Sequence, residues 1–136
     1  MVDGRWHPFR LYGAAGFAVL FGALTIMSGG NVLFGGEEAL QAAGNVVPFV
    51  LWFNFLAGFA YVLAGIGLFL KKRWAAWLSA AILAGTAAVF AAFAIHMFQG
   101  GAYEMRTLGA MTLRTIVWAV IAWIAVSATS NTRPAI

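Results

Sequence analysis

The sequence predicts an all-α, polytopic membrane protein: four transmembrane helices in an antiparallel bundle, with both termini on the same side of the bilayer. Three observations predict it. Only 9% of the residues are charged and 63% are hydrophobic, whereas an ordinary soluble domain carries about 25% charged residues. Mean hydropathy over the whole chain is +0.90. Finally, four stretches reach the length of about 20 apolar residues that a helix needs to cross a hydrocarbon core. The 136 residues are expected to form one membrane domain, residues 1–136, with no separate soluble unit.

The first helix is expected over 11–30. Arg5 and Arg10 precede it, as in a secretory signal. Its apolar run is too long for such a signal and no small-x-small cleavage pattern follows, so a retained helix is expected. The connection 31–46 contains "GGEEALQAAG", a short surface helix bracketed by glycines. Pro48 opens the second helix, 47–70, at a position where proline suits a helix start. The third helix is expected over 74–97. Only Lys71, Lys72 and Arg73 separate it from the second, so these two form a tight antiparallel hairpin. The fourth helix is expected over 108–128.

Orientation follows from charge. Arg5, Arg10, the Lys71–Arg73 turn and Arg133 fall on one side, and Glu37, Glu38 and Glu104 on the other, where Arg106 is the lone base. The positive-inside rule then puts both termini in the cytoplasm, as for a multi-pass protein of a bacterial inner membrane. Trp6, Tyr12, Trp74 and Trp77 would mark the inner interface, and Trp52 and Tyr103 the outer one. The sequence pI near 10.1 reflects this topology; the bases are too few and scattered for a nucleic-acid surface. With no cysteine there is no disulfide and no thiolate metal site.

Lipid gives apolar helices no hydrophobic reason to associate, so small residues must allow close backbone approach. The first helix offers Ala14, Ala18 and Gly22, the second Ala57, Ala60, Ala64 and Gly67, and the third Ala80, Ala84, Ala87 and Ala91.

Arg114 stands out. The fourteen residues from Thr115 to Ala128 rise about 21 Å as a helix, short of a core about 30 Å thick. Arg114 therefore lies inside the span, roughly two-thirds of the way up from the cytoplasm. By the same measure Asn54 lies about 24 Å up and His96 about 33 Å, at the outer interface. The outer half thus gathers Asn54, His96, Glu104 and Arg114. Thr25, Ser79 and Thr86, deeper down, are expected to bond their own helix backbones. Glu104, Thr107, Met111, Arg114, Trp118 and Ile121 recur at helical spacing on one stripe. That stripe should face inward, because an arginine in lipid costs about 2.5–3.5 kcal/mol or more.

Each candidate has a structural and a functional reading. Arg114 could snorkel to the outer headgroups, pin the bundle by donating to Asn54, a carbonyl or a carboxylate, or anchor an anion with its five-donor fork. Trp118, one turn away, is placed to stack on its guanidinium. Asn54 suits an interhelical hydrogen bond. His96 suits a bond to a carbonyl or to water. His96 with Met97, Met105 and Met111 would suit Cu(I), but adjacent residues point apart, and no metal site is expected. His7 lies at the opposite face, which excludes bis-histidine haem within one chain, and no cofactor is expected. Glu37 and Glu38 read as solvated charges able to fold onto Arg106 or Arg114. Arg106 and Glu104, two apart, do not pair along a helix. The Lys71–Arg73 turn meets anionic lipid. No catalytic set shares one depth, so no enzyme is expected. A transport path needs polar groups through both leaflets, and here they occupy one half, with no proline inside a span; an oligomeric pore stays open.

The segments "WFNFLAGFAYVLAG" (52–65) and "GGAYEMRTLGAMTLRT" (100–115) resemble a group of small bacterial four-helix membrane proteins, loosely similar to the DoxX-like ones, over helices two to four. The resemblance points to Asn54, Tyr103, Glu104, Thr107, Met111, Arg114 and Thr115. It implies a membrane partner in redox or stress-related systems. The expectation is therefore a non-catalytic accessory subunit or binder of a small ligand, lipid headgroup or quinone, at a site of Asn54, His96, Glu104, Arg114, Trp118, Met111 and Tyr103. The alternative is a solute or ion transporter working as a homo-oligomer. The partners expected are the bilayer and either a membrane protein or further copies of the chain.

Overall fold

The computed structural model describes residues 8–131, with side chains described over 10–128; Arg5, Trp6, His7 and Arg133 lie outside these residues. Five helices follow one another, α1 (Pro8–Phe34), α2 (Glu37–Ala43), α3 (Pro48–Phe69), α4 (Arg73–Phe98) and α5 (Met105–Asn131). No strand occurs among the described residues. All but the short α2 are long and apolar enough to cross a membrane, so the chain is a multi-pass membrane protein. The helices outrun the apolar stretches because a helix continues through the interface where hydropathy stops. The glycine-bracketed segment does form a surface helix, α2, none of whose residues is buried.

Two helix ends show why the turns fall where they do. After α3, Lys71 adopts φ 55°, and its N–H and that of Lys72 donate to Leu68 O and Gly67 O. This satisfies carbonyls the helix leaves open, in a left-handed conformation that costs a non-glycine residue about 1–2 kcal/mol. After α4, Gly100 takes φ 83°, and Gly100 and Gly101 donate to Met97 O and His96 O in the same pattern. The "QGG" sequence is thus a helix terminator.

The helices pack in the order α1, α3, α4, α5, with α1 most extensively on α3 and α5 on α4, and with only a thin strip joining α1 to α5. The α1–α3 contact is close because both backbones are bare there. A Cβ placed on Gly22 would lie 2.7 Å from Gly58 O, and one on Gly65 would lie 2.8 Å from Ala15 O. Ala14, Ala18 and Gly22 on α1, and Ala57, Ala64 and Gly67 on α3, are buried as the spacing predicts, while Ala60 is half-buried. On α4 the expectation fails. Ala84, Ala87 and Ala91 are exposed, and α4 turns inward through Ala75, Ala76, Ser79, Ile82, Thr86 and Phe93. Alanine covers so much of α4 that small-residue spacing is met on more than one face. The larger residues decide, because Ile82 and Phe93 fill core volume that alanine would leave empty.

The core is interrupted. One buried cluster, including Ala57, Tyr61, Ile82 and Trp118, fills the half near Lys71–Arg73, hereafter the basic end. A second, Val47, Val50, Phe93 and Met111, lies toward the end carrying Glu37, Glu38 and Glu104, hereafter the acidic end. Between them every long helix contributes a polar side chain, among them Thr25, Asn54, Thr86 and Arg114. Helical rise puts all four roughly 20–25 Å from the basic end.

Candidate functional site

The inward stripe of α5 is real: Met111 and Trp118 are fully buried, Ile121 is buried, and Glu104, Thr107 and Arg114 are half-buried. Arg114 does not snorkel to an interface. Its Nη1 donates to Thr25 Oγ1 at 3.0 Å and to Tyr61 Oη at 3.3 Å, tying α5 to α1 and α3. The guanidinium carbon lies 5.1 Å from the Phe21 ring centroid and 5.9 Å from that of Tyr61. Trp118 stacks instead on Tyr61, ring centroids 4.9 Å apart. The expected Arg114–Trp118 stack is therefore corrected: Phe21 and Tyr61, arriving from other helices, take the guanidinium faces.

Asn54 is not the partner either. Its Oδ1 is buried without a hydrogen bond, and so are Thr86 Oγ1, Arg114 Nε and Trp118 Nε1. Buried polar atoms in folded proteins nearly always have partners, so four orphans belonging to this layer and the turn beneath it are out of the ordinary. Thr25 does not turn back on its own helix as expected, since Arg114 offers it a charged donor. Ser79 does, donating to Ala75 O at 2.8 Å.

Interhelical hydrogen bonds in membranes average about 0.6 kcal/mol, and a cation over a desolvated ring adds about 2 kcal/mol. Together these roughly match the cost of about 2.5–3.5 kcal/mol for placing arginine at this depth. The buried, unpaired Nε adds a further penalty of about 1–3 kcal/mol. Among the described residues no carboxylate offsets it.

Above the polar layer a cleft of about 260 Å³ opens toward the acidic end. Its walls are largely apolar, with Val32 of α1, Val47, Val50 and Leu51 at the start of α3 and Ala110 of α5, joined by Ser28, Asn54 and Thr107; Ala43, Val46, Glu104 and Arg106 form its rim, and Arg114 is not among the lining residues. The rim is cross-linked. Arg106 Nη2 donates to Ala43 O at 3.0 Å, closing the last turn of α2, and approaches Glu104 Oε1 at 3.8 Å. Glu104 Oε2 accepts the Asn45 N–H at 2.8 Å. The pairing rule that separated Glu104 from Arg106 does not apply, because Glu104 precedes the first residue of α5 and its backbone is not helical. Glu37 and Glu38 stay exposed. Gly36 (φ 94°) and Gly44 (φ 80°) flank α2 in conformations that favour glycine.

The remaining expected site residues lie apart from Arg114. His96 donates from Nε2 to Ala102 O at 2.8 Å and stacks near Phe93, bracing the turn after α4 as expected. Tyr103 meets Phe93 edge-on at 5.8 Å between centroids. Among the described residues no set of three or more His, Cys, Asp or Glu side chains could hold a metal. Beneath the layer Tyr61 and Trp118, both with 0% exposure, close the axis between the helices. Sequence reasoning missed Thr25, Tyr61 and Phe21. A signal for Tyr61 existed, since it follows Asn54 by two helical turns on one face.

No family model matches this chain, nor does any curated protein or solved structure.

Proposed function

We propose that this is a non-catalytic integral membrane protein of a bacterial inner membrane that binds a small ligand or lipid headgroup in the cleft. It acts as a binder in its own right or as an accessory subunit, the role that the DoxX-like resemblance implies. Its four long helices form an antiparallel bundle, with both termini cytoplasmic and the acidic end outward. The charge pattern supports this orientation: Arg10 and Lys71–Arg73 lie at one end and three glutamates at the other.

One observation carries the binding reading. A largely apolar cleft carries a few polar side chains, Ser28, Asn54 and Thr107 among them, and the Oδ1 of Asn54 is buried there without a partner, while Tyr61 and Trp118 lie fully buried below. A closed floor suits a bound ligand better than a path. The test is cleft filling. Wild-type protein extracted in mild detergent should carry a non-protein mass in native mass spectrometry, and Ala110→Phe should lose it while keeping its helical content. A wild-type spectrum free of adducts, with no probe from a panel of small acids, lipids and quinones raising Tm, would count against the reading.

The alternative is transport of a small solute or ion by a homo-oligomer. The outward face of α4 supports it, because Ala81, Ala84, Ala88 and Ala91 are exposed there, where other long helices present Phe, Leu, Ile or Trp. Such a smooth face permits close helix approach between copies. Liposome flux, with the oligomer's mass measured in lipid, decides between the two.

A further inference from the structure

We infer that α2 is a lid over the cleft, latched to α5 by Glu104 and Arg106, and that releasing the latch opens the cleft to small solutes at the acidic end. Access belongs to the cleft whatever binds there, so this goes beyond the binding reading and takes only the cleft from it.

The chain between α1 and α3 has no need to reach α5. The two helices already meet at the acidic end, where the Phe34 ring lies 6.2 Å from that of Trp52 and 5.8 Å from that of Phe55. Yet the later half of the connection lies against the start of α5. Arg106 Nη2 donates to Ala43 O at 3.0 Å and approaches Ala42 O at 3.5 Å, and Glu104 Oε2 accepts the Asn45 N–H at 2.8 Å. Residues of α1, α3 and α5 wall the cleft. A segment that leaves α1, touches α5 and returns to α3 therefore crosses its mouth, where Ala43 and Val46 line it.

Little else holds α2 in place. None of its residues is buried, and it touches α1 over a short strip only. Gly36 and Gly44, both at positive φ, stand at its two ends, where a residue without Cβ changes conformation most freely. Gly44 has a second reason to be glycine. A Cβ there would lie 2.5 Å from Glu104 Oε2, so the carboxylate rests directly on the backbone it holds. The latch itself is open to solvent: the Arg106 side chain is 71% exposed and lies 3.8 Å from Glu104 Oε1. Exposed charge pairs of this kind are weak, which suits a closure that must open.

The absence of cysteine lets one thiol report on the cleft. Ala110→Cys, on the cleft wall one turn beneath Arg106, is reacted in the full chain, in neutral detergent, with uncharged hydroxyethyl methanethiosulfonate. Glu38→Cys, exposed on α2, is the reference. Arg106→Met keeps volume at the rim but cannot donate. Added to Ala110→Cys, it should speed the reaction about three- to tenfold, leave the rate at Glu38→Cys unchanged, and raise amide exchange across 37–45. Glu104→Gln loses the charge but keeps an acceptor for Asn45, and should give a smaller increase. Equal rates at Ala110→Cys with the latch intact and broken overturn the lid, as does an equal rise at Glu38→Cys. Unchanged exchange across 37–45 overturns the latch. None of these results touches the binding reading, which fails separately if wild type carries no adduct. Should Arg106→Met not fold, Glu104→Gln decides by the same readouts.

Discussion

Arg114 is held through one nitrogen and two aromatic faces, and that division predicts how substitutions behave. Arg114→Met removes two hydrogen bonds worth about 0.6 kcal/mol each and the ring contacts. It also removes the insertion cost and the orphaned Nε. The bonds and ring contacts offset the insertion cost and the penalty of the unpaired Nε is relieved, so the Met variant should be as stable as wild type or up to about 1–3 kcal/mol more stable, as thermal or chemical denaturation in detergent will measure. A loss of several kcal/mol would make Arg114 a structural pin. Tyr61→Phe deletes one acceptor but keeps the rings stacked on Trp118 and beneath the guanidinium, and should cost about 0.5–1.5 kcal/mol. Depth and helical spacing alone located Arg114, Met111 and Trp118 on an inward stripe. They could not locate Thr25 or Phe21, because which α1 residues meet α5 depends on how α1 lies against α3, and one helix's sequence does not encode that.

Among the elements, the α1–α3 contact is the most exacting. A side chain at Gly22 would collide with Gly58 O and with Val62, each 2.7 Å from its Cβ. Backbone cannot yield as a flexible side chain can. Gly22→Leu should therefore destabilise by about 1–3 kcal/mol or more, with Tm as the readout, whereas Gly13→Leu, with nothing within 4 Å, should be tolerated. The short α2 makes a different demand. Its last carbonyls depend on Arg106, and the Asn45 N–H depends on Glu104. Arg106→Ala should speed amide exchange across 37–45 while leaving the long helices unchanged. Hydropathy and punctuation made the helices legible: Pro48, the glycines around α2, the basic turn and "QGG" all sit at element boundaries. The buried face of α4 was not legible, since alanine satisfies the small-residue rule almost everywhere on that helix. Its two large inward side chains, Ile82 and Phe93, settle the matter only once neighbours are in place.

For the molecule as a whole, the sequence carried the spans and the charge asymmetry but not the order in which the helices neighbour one another. Because the chain has no cysteine, its topology can be mapped one engineered thiol at a time. Glu38→Cys should react with a membrane-impermeant maleimide added to intact spheroplasts, and Lys72→Cys only after lysis. The opposite pattern would invert the orientation and put the cleft in the cytoplasm.

The thin strip between α1 and α5 joins the first and last long helices, which no short loop connects. Mechanically the molecule is a book whose spine is the α3–α4 turn and whose free edges meet at Arg114 and Thr25. Splicing those two edges through a short peptide across the basic end would clasp the book shut. A guest already inside should then leave more slowly, even though no residue touching it has changed.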